Sequence, residues 1–297
     1  MPLIFEMKFL REVTKNKYFR KVGIPVYQQT VRRITWLPVP RVIVISMPKA
    51  GTHLILRVLG LLPKMVYSGR HLDEHDLFES QDYTENSHLA IDKLEDMISA
   101  CRDGQYFSGH FPYHTAIERT LGQHEVVPLV IIRDPRDVAV SYVNYVSSEP
   151  RHYHHRLYTE KYTNFDDRLM ATLAGFSADK KYTERGLVPM YTHICSYLPW
   201  LNSDLAITFR FEQLVGPSGG GGVEQQRDAI STIAKSVNRR LDEEQLEAIR
   251  SKAFSTSSRT FHKGQSGGWS CKFNDSHKEF CKRYLDDAIV RLGYAAT

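Results

Sequence analysis

The feature that most constrains this chain is the run Arg41-Val42-Ile43-Val44-Ile45-Ser46. A continuous β-branched apolar run with no polar alternation predicts a strand buried on both faces, as in a parallel sheet. The turn Met47-Pro48-Lys49-Ala50-Gly51 follows, and Thr52 to Leu62 has helical apolar spacing until Pro63 stops it. Strand, turn and helix in that order suit an oxyanion. The N–H groups at a helix start lack intrahelical acceptors, and the helix dipole adds positive potential there. Gly51 lets the backbone approach a phosphate, Thr52 offers a hydroxyl and Lys49 a mobile point charge. The glycine-rich entry of the Walker pattern G-x-x-x-x-G-K-[ST] is absent, so the segment reads as a phosphate loop more clearly than as an ATP loop. Taken alone, it also fits a glycine-containing turn with an incidental lysine.

Val126 to Ile132 is a second fully apolar strand, followed at once by Arg133-Asp134-Pro135 and a helix from Arg136 to about Val146. Arg133 leaves a buried strand and could place a bidentate fork on a phosphate, with Ser141 adding a hydroxyl from the same side. A salt-bridged turn is the plainer reading of Arg-Asp-Pro. A short strand at Gln105 to Ser108 leads into Gly109-His110-Phe111-Pro112, which puts His110 on a glycine-containing turn, and Asp204 to Arg210 is a third strand candidate. Helices are predicted over 89–101, 165–176, 184–200, 224–237, 242–252 and 276–291, and the polar stretch 64–88 reads as loop with little regular structure. Apolar strands alternating with helices imply an α/β fold, a central and mostly parallel sheet flanked by helices. Ligands in such folds sit beyond the carboxyl ends of the strands. His53, His110, Arg133 and Ser141 all fall there. Residues 1–38 read as a helical or irregular lead-in and 39–297 as a single domain.

Lys plus Arg at 39 against Asp plus Glu at 34 gives +5, enough to favour an anionic ligand and too little to argue for nucleic acid. No apolar run approaches the roughly 20 residues of a membrane span. Glu6, Lys8, Arg11 and Glu12 interrupt the N-terminal apolar stretch, against a secretory signal. The basic stretch Lys15 to Arg33 reads as a solvated arm or helix. Four scattered cysteines, Cys101, Cys195, Cys271 and Cys281, suit free thiols in a reducing compartment, and the expected location is cytoplasmic. Cys271, His277 and Cys281 fit no standard zinc spacing, and no Asp/Glu cluster suits magnesium, so no metal is expected.

Together these segments resemble the PAPS-dependent sulfotransferase family, whose donor is 3'-phosphoadenylyl sulfate (PAPS) and whose spent nucleotide is 3'-phosphoadenosine 5'-phosphate (PAP). Pro-Lys-x-Gly-Thr resembles the family's 5'-phosphosulfate loop, and Arg133 through Ser141 its 3'-phosphate motif. Phe261-His262-Lys263-Gly264-Gln265-Ser266-Gly267-Gly268-Trp269 resembles its Arg-Lys-Gly-x-x-Gly-Asp-Trp signature. Phe209 to Pro217 and Leu292-Gly293-Tyr294 resemble segments of bacterial members.

The resemblance implies a P-loop-NTPase-like sulfotransferase fold. It implies that Lys49, Ala50, Gly51, Thr52 and His53 hold the 5'-phosphosulfate, and that Arg133, Ser141, His262, Lys263 and Gly264 hold the 3'-phosphate. Phe254 would pack on adenine, with Phe211 also in the donor site. His110 would be the base and Lys49 the leaving-group cation. His53, Ser108, Tyr142 and Tyr145 would face a small-molecule acceptor, a sugar, phenol or natural product. The aromatic stretch 142–162 lies where the family builds its acceptor gate and suits a mobile lid or, equally, a partly ordered surface loop. A weak homodimer is allowed. The chain departs from the pattern at Leu54 for Trp, Phe211 for Tyr, Ser108 for Lys, His262 for Arg and Gly268 for Asp. The rival readings are a P-loop kinase, which needs the missing Walker entry and a magnesium carboxylate, and a catalytically inactive nucleotide-binding module.

Overall fold

The apolar run at Arg41–Ser46 forms the central strand, β1, in the computed structural model of the protein, which describes residues 27–31, 38–81, 83–254 and 266–297. Val42, Ile43, Val44 and Ile45 are each fully buried. Burying a side chain of this size contributes about 1.5–3 kcal/mol. Helix α1 (Thr52–Leu61) follows, then β2 (Val66–Asp73), α2 (Glu74–Leu77) and α3 (Ile91–Ser99). Strand β3 (Gln105–His110) leads to α4 (Thr115–Gln123), and β4 (Val126–Ile132) to α5 (Pro135–Ser148). A π-helical turn at Leu157–Lys161 precedes α6 (Phe165–Ala174) and α7 (Met190–Tyr197). The chain ends with β5 (Ile207–Arg210), α8 (Phe211–Val215), α9 (Val223–Ser236), α10 (Glu243–Ala253), α11 (Asp275–Tyr284) and α12 (Asp286–Arg291).

The sheet order is β2-β3-β1-β4-β5, and every pairing is parallel. Alternate residues of β1 feed two cores. Ile43 and Ile45 pack among residues of α3 to α7 and the C-terminal helices, whereas Val42 and Val44 pack with α1, α8, α9 and α10. The chain leaves β1 for β2 and β3 on one side and later crosses to β4 on the other. This reversal puts the switch point at the carboxyl end of β1, the usual ligand position in such sheets.

Four expectations need correction. The stretch 64–88 is not a loop, because it contains β2 and α2. Strand β2 hides in the sequence as an edge strand of mixed polarity, with a register shift between Tyr67 and His71 and Gly69 at φ 74°. His110 ends β3 rather than sitting on a turn. Gly109 lies inside that strand, where an added Cβ would collide with the Phe111 ring. The helix expected over 184–200 begins only at Met190, since Leu187 pairs back onto Phe176 and Pro189 caps the start. The helix expected over 276–291 is two helices meeting at Leu285.

Of the lead-in, residues 1–26 and 32–37 lie outside the described residues, and with them the basic positions Lys15, Lys17, Arg20, Lys21, Arg32 and Arg33. Residues 27–31 form a helical turn along β2, with the Tyr27 hydroxyl and the Gln28 amide donating to the carbonyls of Tyr67 and Gly69. Among the described residues, no helix is long and apolar enough to cross a membrane.

Candidate active site

The turn after β1 is built for close approach. Lys49 has φ 72° and Gly51 φ 116°, both in the region that side chains disfavour. A Cβ on Gly51 would come within 2.7 Å of the Phe211 ring. Gly51 is also the N-cap of α1, so no side chain caps the helix, and its first turn carries no acidic residue. Helix geometry leaves the first N–H groups, Thr52 and His53 among them, without intrahelical acceptors. The donor set is therefore backbone N–H groups, the Lys49 ammonium and a hydroxyl, which fits a phosphate or sulfate. Thr52 lies 2.6 Å from Ser46 through their hydroxyls.

Two cations flank this turn. The Lys49 ammonium lies 4.1 Å from the Tyr145 ring centre, and its pKa is lowered to about 8 by burial and by Arg133. Arg133 donates to the Lys49 carbonyl at 3.3 Å and stacks 4.2 Å above Phe211. The salt-bridged turn foreseen for Arg-Asp-Pro does form, with Arg136 in place of Arg133. Arg136 grips Asp134 through Nε and Nη2 at 2.9 and 2.8 Å, and Asp134 caps α5. Phe211 thus lies under the loop as the platform for Gly51 and Arg133.

Ser141 stands on α5 one turn from Asp137 and one turn from Tyr145, on the same helix face. That face touches Lys49 through Tyr145 and the C-terminal loop through Asp137. Asp137 accepts the backbone N–H groups of Gly267 and Trp269 at 2.7 and 2.8 Å. His262, Lys263 and Gly264, just before that anchored segment, lie outside the described residues. Phe254 ends α10 and packs against the core beside α1.

His110 ends β3 next to the phosphate turn. Its Nδ1 sits 2.9 Å from the Ser46 carbonyl oxygen, and a carbonyl only accepts, so Nδ1 carries the proton and Nε2 the lone pair. Tyr197 donates to the same carbonyl at 3.1 Å. Burial, then the neighbouring His71, lower the His110 pKa to about 3, against the pull of Asp73. His53 is lowered to about 4 by burial, Lys49 and His71. His110 is half-buried and His53 is exposed. Both are neutral at pH 7, the form in which an imidazole accepts a proton. Negative charge on a bound donor raises both values toward neutrality.

On the acceptor side, Ser108 is buried and its hydroxyl lies 2.8 Å from Nδ1 of His71. Sequence reasoning missed His71 and Asp73. The available signal was a His-x-Asp pair, whose members share one face of a strand. Tyr142 is buried, with its hydroxyl 2.8 Å from Nδ1 of His154. Part of the stretch expected as a mobile lid is packed, while Arg151, Tyr153, Arg156 and residues 159–161 are exposed. His154 and Tyr158 are fully buried and stack in a cluster with Phe176, while His152 and Tyr145 close its inner edge. The Cys271, His277 and Cys281 positions do not converge on a metal, as His277 is engaged with Asn274 and the Asp166 carbonyl.

A model of the sulfotransferase domain matches residues 39–293. No curated protein matches the sequence. Among solved structures, mouse sulfotransferase SULT7A1 complexed with PAP is similar, with 16% identity, TM-score 0.58, and 91% of this chain and 94% of that one covered. Retinol dehydratase with androsterone and PAP has 15% identity and TM-score 0.51, covering 89% of this chain and 85% of that one. The same enzyme with retinol and PAP has 17% identity and TM-score 0.51, covering 88% and 85%. At these identities the likeness shows a shared fold.

Proposed function

Because the chain belongs to the sulfotransferase family, we propose that it moves a sulfuryl group from PAPS to a hydroxyl or amine of a small-molecule acceptor, releasing PAP, within one domain spanning residues 39–297. The observation that carries this reading is the meeting of three groups at the carboxyl end of β1. These are the uncapped start of α1, the Lys49 ammonium, and His110 with its lone pair on Nε2.

PAPS supplies a sulfuryl group attached to a good phosphate leaving group. Lys49 and the α1 N–H groups bind that phosphate and hold the charge that builds on it as the bond breaks. Transfer through a loose transition state asks the protein mainly for positioning and charge balance. With Lys49 and Arg133 providing positive charge, the reaction needs no divalent ion. His110 takes the acceptor proton on Nε2. Ser141, Arg133, His262, Lys263 and Gly264 grip the 3'-phosphate, and Phe254 packs on adenine. Two of the similar structures hold retinol or androsterone beside PAP, which supports a small-molecule acceptor. Tyr145, His152 and Tyr153 supply an aromatic wall for it. The four unpaired cysteines support a cytoplasmic location.

Sulfur-labelled PAPS and, in a parallel arm, γ-phosphate-labelled ATP, each offered with a metabolite library with and without EDTA, test the reading. Label transfer that survives chelation is expected. Metal-dependent transfer from ATP instead would establish the kinase reading, and nucleotide binding without transfer the inactive module.

A further inference from the structure

Strands β2 and β3 run parallel with His71 opposite Ser108 and Asp73 opposite His110. Residues two apart on a strand share a face, so this register gathers His71, Asp73 and His110 on one side of the sheet. Each offers a ligand atom, and the three atoms lie within 4.8 Å of one another. Nε2 of His71 is 3.1 Å from Oδ1 of Asp73.

Both rings are already held from behind. Nδ1 of His110 donates to the Ser46 carbonyl, and Nδ1 of His71 meets the Ser108 hydroxyl at 2.8 Å. This is the arrangement that orients histidine ligands, with the outer nitrogen fixed by an oxygen and Nε2 turned to the ion. Ligand atoms around a tetrahedral zinc stand about 3.3–3.6 Å apart, given bonds of about 2.0–2.2 Å. The His71 to Asp73 spacing is close to that. The remaining closure falls to side chains with room to rotate, as Asp73 is 54% and His71 35% exposed. Two imidazoles and one carboxylate suit a divalent transition ion better than magnesium or calcium.

We propose that His71, Asp73 and His110 form a binding site for a divalent transition ion of the zinc type, and that its occupancy withdraws His110 from sulfuryl transfer. The second half rests on His110 being the base. On binding, the Nε2 proton of His71 moves to Nδ1, where Ser108 accepts it, and the Asp73 carboxylate exchanges a hydrogen bond for a metal bond. Nε2 of His110 gives its lone pair to the ion and has none left for an acceptor proton. The ion is an inhibitor, and the transfer chemistry proceeds without it.

Calorimetric titration of the full chain with zinc, and cobalt absorption spectra as an independent readout, test the site. One ion per chain is expected, with the intense visible bands of low-coordinate cobalt. His71→Ala and Asp73→Asn should each weaken binding by at least about 100-fold, and Ser108→Ala by about 10–100-fold, as for outer-shell residues. Circular dichroism verifies folding, and Asp73, on the surface, is the variant least able to disturb it. Zinc should suppress label transfer from PAPS, EDTA should restore it, and Asp73→Asn should resist zinc relative to its own rate in EDTA. Unchanged zinc affinity in His71→Ala and Asp73→Asn, or no binding to the native chain, overturns the site. Tight binding at these residues with undiminished transfer overturns the inhibition and removes His110 from the reaction.

Discussion

The carboxylate of Asp137 accepts the backbone N–H of Trp269 at 2.8 Å, across 132 residues of chain, and the N–H of Gly267 at 2.7 Å. Asp137 is buried, four residues beyond Arg133 and four before Ser141. The helix that carries Ser141 and follows closely on Arg133 therefore also ties down the end of the glycine-rich C-terminal motif. Arg136 reinforces the tie by stacking 3.9 Å over the Trp269 ring.

Asp137→Ala leaves two N–H groups without their acceptor, at about 1–3 kcal/mol for each one that stays buried. PAP affinity should fall, and amide exchange at Gly267 and Trp269 should accelerate. Exchange at native rates in the variant would show that other contacts hold the loop.

His110→Ala removes the proposed base while keeping the cationic end of the site. Turnover should fall by about 10²–10⁴-fold, the range for general-base catalysis, with PAP affinity nearly native. Steady-state rates alongside PAP calorimetry separate the two effects. Native turnover in a folded variant would exclude the role.

Lys49 gives the pH dependence of donor binding. Its pKa is lowered to about 8 by burial and Arg133, and an anionic donor raises it again. Below 8 the ammonium is present and binding is strong. As pH rises past 8 the unliganded protein loses that charge, so affinity for PAP falls by up to about tenfold per unit. Binding near pH 8–9 should take up a proton, detectable as a dependence of the calorimetric heat on buffer ionisation. Lys49→Arg should flatten the profile.

Gly51→Ala should damage the loop from within. A left-handed φ for alanine costs about 1–3 kcal/mol, and the new methyl also meets Phe211 at 2.7 Å. The melting temperature should drop and PAP binding weaken together. A stable variant with native affinity would show that the loop can relax without loss.

Strands β1 and β4 were legible because burial on both faces writes itself as an uninterrupted apolar run, and the phosphate turn was legible from Lys49, Gly51 and Thr52 between strand and helix. Strand β2 was not. Val66, Ser68 and Leu72 are buried while His71 and Asp73 are exposed, so its composition mimics a polar loop. With the strand went its His-x-Asp pair. The tyrosines and histidines of 142–162 were legible only in part. Their composition suggested a surface lid, yet His154, Tyr158 and Phe176 satisfy one another inside the protein. Aromatic content alone does not reveal which neighbours a ring will find.

The placement of β2 at the rim of the sheet has a consequence for how such an enzyme can change. The buried apolar residues of β1 and β4 each face one of two packed cores. Neither face of these strands tolerates ready substitution, so the nucleotide half of the site is conservative by construction. Strand β2 has one paired neighbour strand, and His71 and Asp73 are 35% and 54% exposed, so exchanging them disturbs folding less than exchanges in the central strands. The sheet divides the enzyme into a frozen half, which recognises a common currency, and a freely edited margin. New acceptors, or new sensitivities to ions, can be acquired at that margin without renegotiating the fold.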